Sequence, residues 1–251
     1  MGCPPFSYLV LTAANFELSS QGVYGDRILM PDSALVPRPT GVDAVTAAAV
    51  WLTYSTAYGA LVERARMAPG SHVLITGASS GVGTAAIQVA RRAGAVPIAT
   101  TRTEAKRRHL LELGAEHVIV SEAEDVVKEA RRVTGGHGVD LVLDAIGGPG
   151  FRALGEAVVA DGTLISYGWL DADHPIELPR AWPLTVHGYN NLALTGTAAG
   201  RNRAAHYISS GLLDGTLRPV VAEVFDGLDG IRDAHRLMDS NRHTGKIVVR
   251  V

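Results

Sequence analysis

Thr76-Gly77-Ala78-Ser79-Ser80-Gly81-Val82-Gly83 decides the reading of this chain. The apolar run Val73–Thr76 leads into it, and Gly81–Ala93 leaves it with the spacing of a helix. A turn of small residues between a strand and a helix lets the backbone come close to a pyrophosphate. The helix that follows offers unbonded N–H groups and the positive end of its dipole to the same spot. The octet is therefore read as the phosphate-binding turn of a dinucleotide site.

Downstream the pattern alternates regularly. Pro97–Thr101, His117–Val120, Asp140–Asp144 and Thr163–Gly168 read as strands. Gly81–Ala93, Glu104–Leu113, Glu122–Val133 and Phe151–Val159 read as the helices between them, with Gly114 suited to a helix C-cap. Short continuous apolar strands are what a parallel sheet covered on both faces requires. The expected fold class is α/β, a doubly wound parallel sheet of the Rossmann kind. Leu170–Pro183, with three prolines and mixed charge, is expected to be a loop over the sheet's carboxyl edge. Leu184–Tyr189 is expected as a sixth, edge strand and Arg201–Leu213 as a helix. The tail Val220–Phe225, Leu228–Met238 and Lys246–Val251 reads strand, helix, strand.

The end of the second strand indicates the cofactor. An NAD site places Asp or Glu there for the ribose hydroxyls. Here Thr101 is followed by Arg102, with Lys106, Arg107 and Arg108 on the next helix. A hydroxyl, a guanidinium and an ammonium converging on one spot suit a dianionic 2′-phosphate, so NADPH is the expected cofactor. Some of Lys106–Arg108 are expected simply to form a solvated helix face. The same turn would fit a short-chain dehydrogenase. However, it begins deep in the chain, and none of the seven tyrosines has a lysine four residues later.

The 251-residue chain is 47% hydrophobic and 19% charged, with a net charge of −2, an ordinary globular balance. It carries no basic stripe, so nucleic acid is not an expected partner. A single cysteine, Cys3, excludes an intrachain disulfide and a thiolate zinc cluster. No two of the nine histidines lie three to five residues apart, and no metal is expected. The start has no signal-peptide pattern. The most apolar stretch, Ala44–Leu61, is broken by Thr46, Thr53, Tyr54, Ser55 and Thr56, as in a buried helix pair and not a membrane span. The cytoplasm is the expected address.

Several further motifs extend the pattern: Tyr24-Gly25, Ala34-Leu35-Val36-Pro37, Thr56-Ala57-Tyr58-Gly59-Ala60-Leu61, Leu113-Gly114-Ala115, Asp140–Gly148 and Asn241-Arg242-His243-Thr244-Gly245-Lys246. With the glycine-rich turn, they resemble the zinc-independent quinone oxidoreductases of the medium-chain dehydrogenase/reductase superfamily, the zeta-crystallin-like group. The resemblance runs from about Tyr24 to the C-terminus. It implies that Ser80, Gly81 and Val82 hold the pyrophosphate, and Thr101, Arg102 and Lys106 the 2′-phosphate. Tyr167, Gly168 and Trp169 would line the nicotinamide end, with Thr56 and Asn241 approaching it. Core packing for Tyr167 and Trp169, and a turn-stabilising role for Asn241, are equally compatible with the residues. The resemblance also implies a homodimer through the edge strand near Leu184–Leu194, since an uncovered sheet edge invites pairing.

Members of that group begin with a GroES-like β lobe. Here only a remnant is expected, over residues 1–45, followed by a dinucleotide-binding domain over 46–215 and a return to the small lobe over 216–251. The implied activity is NADPH-dependent hydride transfer to a quinone or an α,β-unsaturated carbonyl, a small-molecule substrate. The cofactor carries the difficult chemistry, and Tyr54 or Tyr58 could supply a proton. A second reading is a non-redox cyclase, isomerase or dehydratase, with acid–base groups among Asp144, Tyr167, Asp171, Asp173, His174 and His187. A third is an NADPH-binding protein completed by a partner chain.

Overall fold

The computed structural model describes residues 9–11 and 22–251. Cys3 and part of the expected N-terminal remnant lie outside the described residues. The described residues form two compact units, one of residues 57–190 and one of the described residues up to 56 with residues 191–251.

The first unit carries the expected doubly wound sheet. Its strands are β3 (His72–Ile75), β4 (Val96–Thr101), β5 (His117–Val120), β6 (Val139–Asp144), β7 (Val158–Ser166) and β8 (Thr185–Gly188). All neighbours are parallel, in the order β5-β4-β3-β6-β7-β8. The order reverses between β3 and β6, which opens a crevice at their carboxyl ends where open α/β sheets bind ligands. The connecting helices are α2 (Gly81–Arg92), α3 (Arg107–Glu112), α4 (Val126–Val133) and α5 (Gly150–Leu154). On one face Leu74, Ile98, Ile119, Val142 and Leu164 pack with Ala130 of α4 and Phe151 and Leu154 of α5. Strand side chains alternate between faces. Val73 and Ile75 therefore point to the other face, and both are fully buried.

Several helix boundaries differ from the expectation; the helix expected over Glu104–Leu113 opens with a 3₁₀ turn, that expected over Arg201–Leu213 begins at Ala198, and two others differ for a clear local reason. The helix expected over Glu122–Val133 begins at Val126. Asp125 is its N-cap, accepting from the Lys128 amide at 3.0 Å, while Glu124 turns back to accept from the Val120 amide at 2.6 Å. The helix expected over Phe151–Val159 stops at Leu154. A 3₁₀ turn over Gly155–Ala157 follows, and Val158 enters β7, buried and paired with Val139. The register then jumps to Leu141 opposite Thr163. Asp161 takes a left-handed conformation (φ 63°) in the extra loop of strand.

In the other unit, β1 (Leu9–Leu11) pairs antiparallel with β2 (Leu35–Pro37). Strand β9 (Val221–Asp226) pairs parallel with β10 (Lys246–Arg250), joined through α8 (Ile231–Asp239). Helices α6 (Leu192–Thr195) and α7 (Ala198–Leu213) complete it, with Thr197 capping α7 by accepting from the Gly200 amide at 3.1 Å. Helix α1 (Ala44–Tyr58) starts at Asp43, whose carboxylate accepts from the amide and hydroxyl of Thr46, and continues into a π-helical turn over Gly59–Arg64. The run Ala44–Arg64 is long and apolar enough to cross a membrane, but most of it is buried as a core helix.

Candidate functional site

The octet occupies the crevice at the switch point. Gly77 follows β3 with φ +55°, a conformation that glycine adopts without strain. A Cβ there would stand in ordinary contact with Ala145 and Ile146, 3.4 and 3.5 Å away, so it is the backbone conformation and not crowding that favours glycine. Gly83 serves a different purpose. A Cβ on it would lie 2.5 Å from Ala78 Cα and 2.6 Å from the Gly77 carbonyl oxygen, so only glycine lets α2 start this close to the turn. Ser80 is the N-cap of α2, its Oγ accepting from the Gly83 amide at 3.0 Å. The Thr84 amide bonds to the Ser80 carbonyl. The amides of Gly81 and Val82 have no acceptor within the helix, as in any first turn, and stand at the positive end of its dipole. This cradle fits a pyrophosphate.

A buried latch holds the turn against β6. Thr76 Oγ1 donates to Asp144 Oδ1 at 2.6 Å and accepts from the Ala145 amide at 3.0 Å. The other Asp144 oxygen accepts from the Gly147 amide at 2.7 Å. Burial raises the Asp144 carboxyl above its usual range, against these hydrogen bonds, which favour the charged form. Asp144, one of the acid–base candidates of the non-redox reading, is thus engaged on both oxygens as a tie between two strand ends. On the other side the Ala78 amide bonds to the Thr100 carbonyl of β4.

The expected 2′-phosphate residues converge in part. Lys106 Nζ lies 3.2 Å from Ser79 Oγ on the turn itself. Its pKa is lowered, first by burial and then by the charge of Arg102. Two cations near enough to repel each other beside a phosphate-binding turn create local demand for an anion. Thr101 is buried at the end of β4, and Arg102 is exposed. Arg107 and Arg108 point elsewhere: Arg107 bonds Glu104, Glu124 and the Val118 carbonyl, and Arg108 bonds Glu112. They form the solvated helix face that the sequence allows for. Ser79 is the residue that sequence reasoning misses, although its place within the octet is visible.

At the end of β7, the Tyr167 amide bonds to the Asp144 carbonyl, and its phenol is buried beside Ser80. That burial pushes the phenol well above its usual range. Gly168 lets the chain pass close to the Ala145 carbonyl, 3.0 Å from where a Cβ would stand. Trp169 is 67% exposed. The loop beyond is pinned over the end of β6, with Leu170 N to Ala145 O at 3.0 Å and Asp171 N to Ile146 O at 2.9 Å. Its exposed Leu170, with Ile146, flanks Gly77. Within this loop Asp171 Oδ1 lies 2.8 Å from His174 Nδ1; Asp173 is exposed. His187 is half-buried on the edge strand β8.

Tyr54, Thr56 and Asn241 belong to the other unit. Tyr54 is 2% exposed, within the helix core. The Thr56 hydroxyl donates to the Leu52 carbonyl at 2.6 Å. Asn241 takes φ 55° just past the end of α8, its amide bonded to the Met238 carbonyl, a position where asparagine stabilises a helix end. Tyr58 donates to Glu63 Oε1 at 2.6 Å. Among the described residues no group of three or more His, Cys, Asp or Glu could hold a metal ion, so the donors on hand do not fit a zinc site.

Comparison with known proteins agrees with this architecture. The family of zinc-binding dehydrogenases matches residues 81–210. A solved NAD-dependent alcohol dehydrogenase is 32% identical, with a TM-score of 0.78, over 92% of this chain and 65% of its own. The CurK enoyl reductase is 27% identical, with a TM-score of 0.74, over 86% of this chain and 65% of its own. A mycocerosic acid synthase-like polyketide synthase of Mycolicibacterium smegmatis is 34% identical over 92% of this chain. The chain spans only 11% of that protein.

Proposed function

We infer that this chain, which belongs to the zinc-binding dehydrogenase family, lies on the zinc-independent, quinone-oxidoreductase-like side of the medium-chain dehydrogenase/reductase superfamily. From that premise we propose that it is an NADPH-dependent reductase of conjugated carbon–carbon double bonds, acting on an α,β-unsaturated acyl thioester. The observation that carries the cofactor assignment is Lys106 on Ser79 with Arg102 beside it, where an NAD site would place a carboxylate. Similarity to a polyketide synthase and to an enoyl reductase supports the thioester over a free quinone.

NADPH, when bound, supplies the hydride. The chain's own contribution is to hold and orient it. The Gly81 and Val82 amides and the Ser80 cap receive the pyrophosphate. Arg102, Lys106 and Thr101 take the 2′-phosphate, and Tyr167, Gly168 and Trp169 border the nicotinamide end. Exposed Trp169, Leu170 and Ile146 offer an apolar wall for an acyl chain. Alignment and water exclusion supply much of the rate in such transfers. The exposed edge of β8 is assigned to homodimer formation by strand pairing.

The test is NADPH consumption with a 2-enoyl thioester, a simple enone and a quinone, beside NADH controls. Oxidation of NADPH with the thioester fastest supports the reading. Undetectable turnover with all three acceptors, despite tight NADPH binding, sinks it in favour of a non-redox or purely cofactor-binding role.

A further inference from the structure

We infer that His174, held by Asp171, is the group that delivers the proton completing the proposed double-bond reduction; this rests on the reductase reading above. Asp171 is held by its backbone, the amide bonding the Ile146 carbonyl, and its carboxylate lies over Gly148, where a Cβ would stand 2.3 Å from Oδ2 and displace it. From that anchored position Asp171 Oδ1 meets His174 Nδ1 at 2.8 Å, while the imidazole is largely exposed. A carboxylate on Nδ1 sets the tautomer and leaves Nε2 to exchange protons.

The pair's loop borders the switch-point crevice. It is tied residue by residue to Ala145, Ile146 and Gly148, the segment that follows β6 at the switch point. The same loop lays Trp169 and Ile176 against Gly147 and Leu170 against Gly77. An acid flanked by exposed apolar side chains beside a dinucleotide turn suits an apolar acyl thioester. Addition of hydride at the β-carbon breaks the C=C π bond and places the electron pair on the α-carbon and thioester oxygen as an enolate. Imidazolium Nε2–H then gives its proton to the α-carbon, leaving neutral imidazole, and solvent restores the proton. The enoyl group is reduced by two electrons and the nicotinamide is oxidised by two.

Two variants separate proton delivery from loop support. His174→Gln can still donate a hydrogen bond to Asp171 but cannot carry the proton; Asp171→Asn keeps the imidazole and removes its anchor. The expected result for His174→Gln is a kcat at least tenfold lower with KM within twofold. Reactions run in D₂O should place α-deuterium on one face in the wild type and on both faces in the variant. Added imidazole should restore part of the His174→Ala rate. Independently of turnover, ¹⁵N NMR of the cofactor-free chain should show Nδ1–H at His174 in the wild type and a tautomer mixture in Asp171→Asn. Wild-type turnover with unchanged kcat and facial selectivity in His174→Gln overturns this inference alone. A wild type that reduces no enoyl thioester overturns both it and the reductase reading.

Discussion

Replacing Gly83 with alanine asks for space that the backbone already fills. The new methyl would lie 2.5 Å from Ala78 Cα, 2.6 Å from the Gly77 oxygen and 2.7 Å from Ala78 C, none of them the end of a flexible side chain. To reach ordinary contact, the start of α2 must retreat from the turn by about 1 Å. Overpacking of this kind costs about 1–3 kcal/mol. Alanine's better helix propensity returns about 1 kcal/mol. The net loss of roughly 0–2 kcal/mol lowers Tm by no more than about 8 °C in a chain of this size. Binding suffers more, because the Gly81 and Val82 amides move with the helix. A hydrogen bond to a charged group contributes about 1.5–3 kcal/mol, so losing even one weakens the dinucleotide at least about tenfold. NADPH and NADH share the pyrophosphate and should weaken together. Fluorescence titration with both, alongside thermal melts, is the assay. Wild-type affinity in a destabilised Gly83→Ala, or a loss confined to one cofactor, would refute the reasoning.

Other expectations follow from particular contacts. Lys106→Ala and Arg102→Ala should each raise the Kd for NADPH about tenfold or more, by loss of a charge-assisted bond, and leave NADH within about twofold. Equal losses for both cofactors in a titration would contradict the 2′-phosphate assignment. Asn241→Gly keeps the left-handed helix end and should hold or raise Tm, whereas Asn241→Ala should cost about 1–2 kcal/mol. A drop in NADPH affinity for Asn241→Gly without loss of Tm would identify a cofactor contact. Because burial raises the Asp144 carboxyl, the folded chain keeps that proton to higher pH than the unfolded chain does. The site's contribution to stability is therefore fullest below the unfolded value of about 3.9 and is lost as pH climbs through the raised one. The melting temperature of the wild type relative to Asp144→Asn should fall across that interval; a difference that grows with pH would refute this. Trp169→Ala should leave Tm nearly unchanged, since the ring is mostly exposed, and raise KM for long acyl thioesters in steady-state assays.

The sheet was legible because its strands are short apolar runs, and β5 falls on the residues expected. What the sequence hid were features decided by distant partners. The helix after β6 ends early because Val158 is claimed by Val139, a pairing no local pattern announces. The latch between Thr76 and Asp144 joins residues 68 apart. That residues 102 and 106 would stand near each other was readable from their place after the second strand. That Lys106 touches Ser79, while Arg107 and Arg108 are taken by glutamates, required the fold. The Leu170–Pro183 loop was recognisable only by its prolines, and its anchoring to Ala145, Ile146 and Gly148 depends on backbone bonds that composition does not encode.

The most direct test of the central claim is a side-by-side equilibrium titration of the wild-type chain with NADPH and NADH. Both are expected to bind through the turn at Thr76–Gly83, with NADPH tighter by at least about tenfold because Arg102 and Lys106 meet its extra phosphate. Equal affinity for the two, or no binding of either, would contradict it.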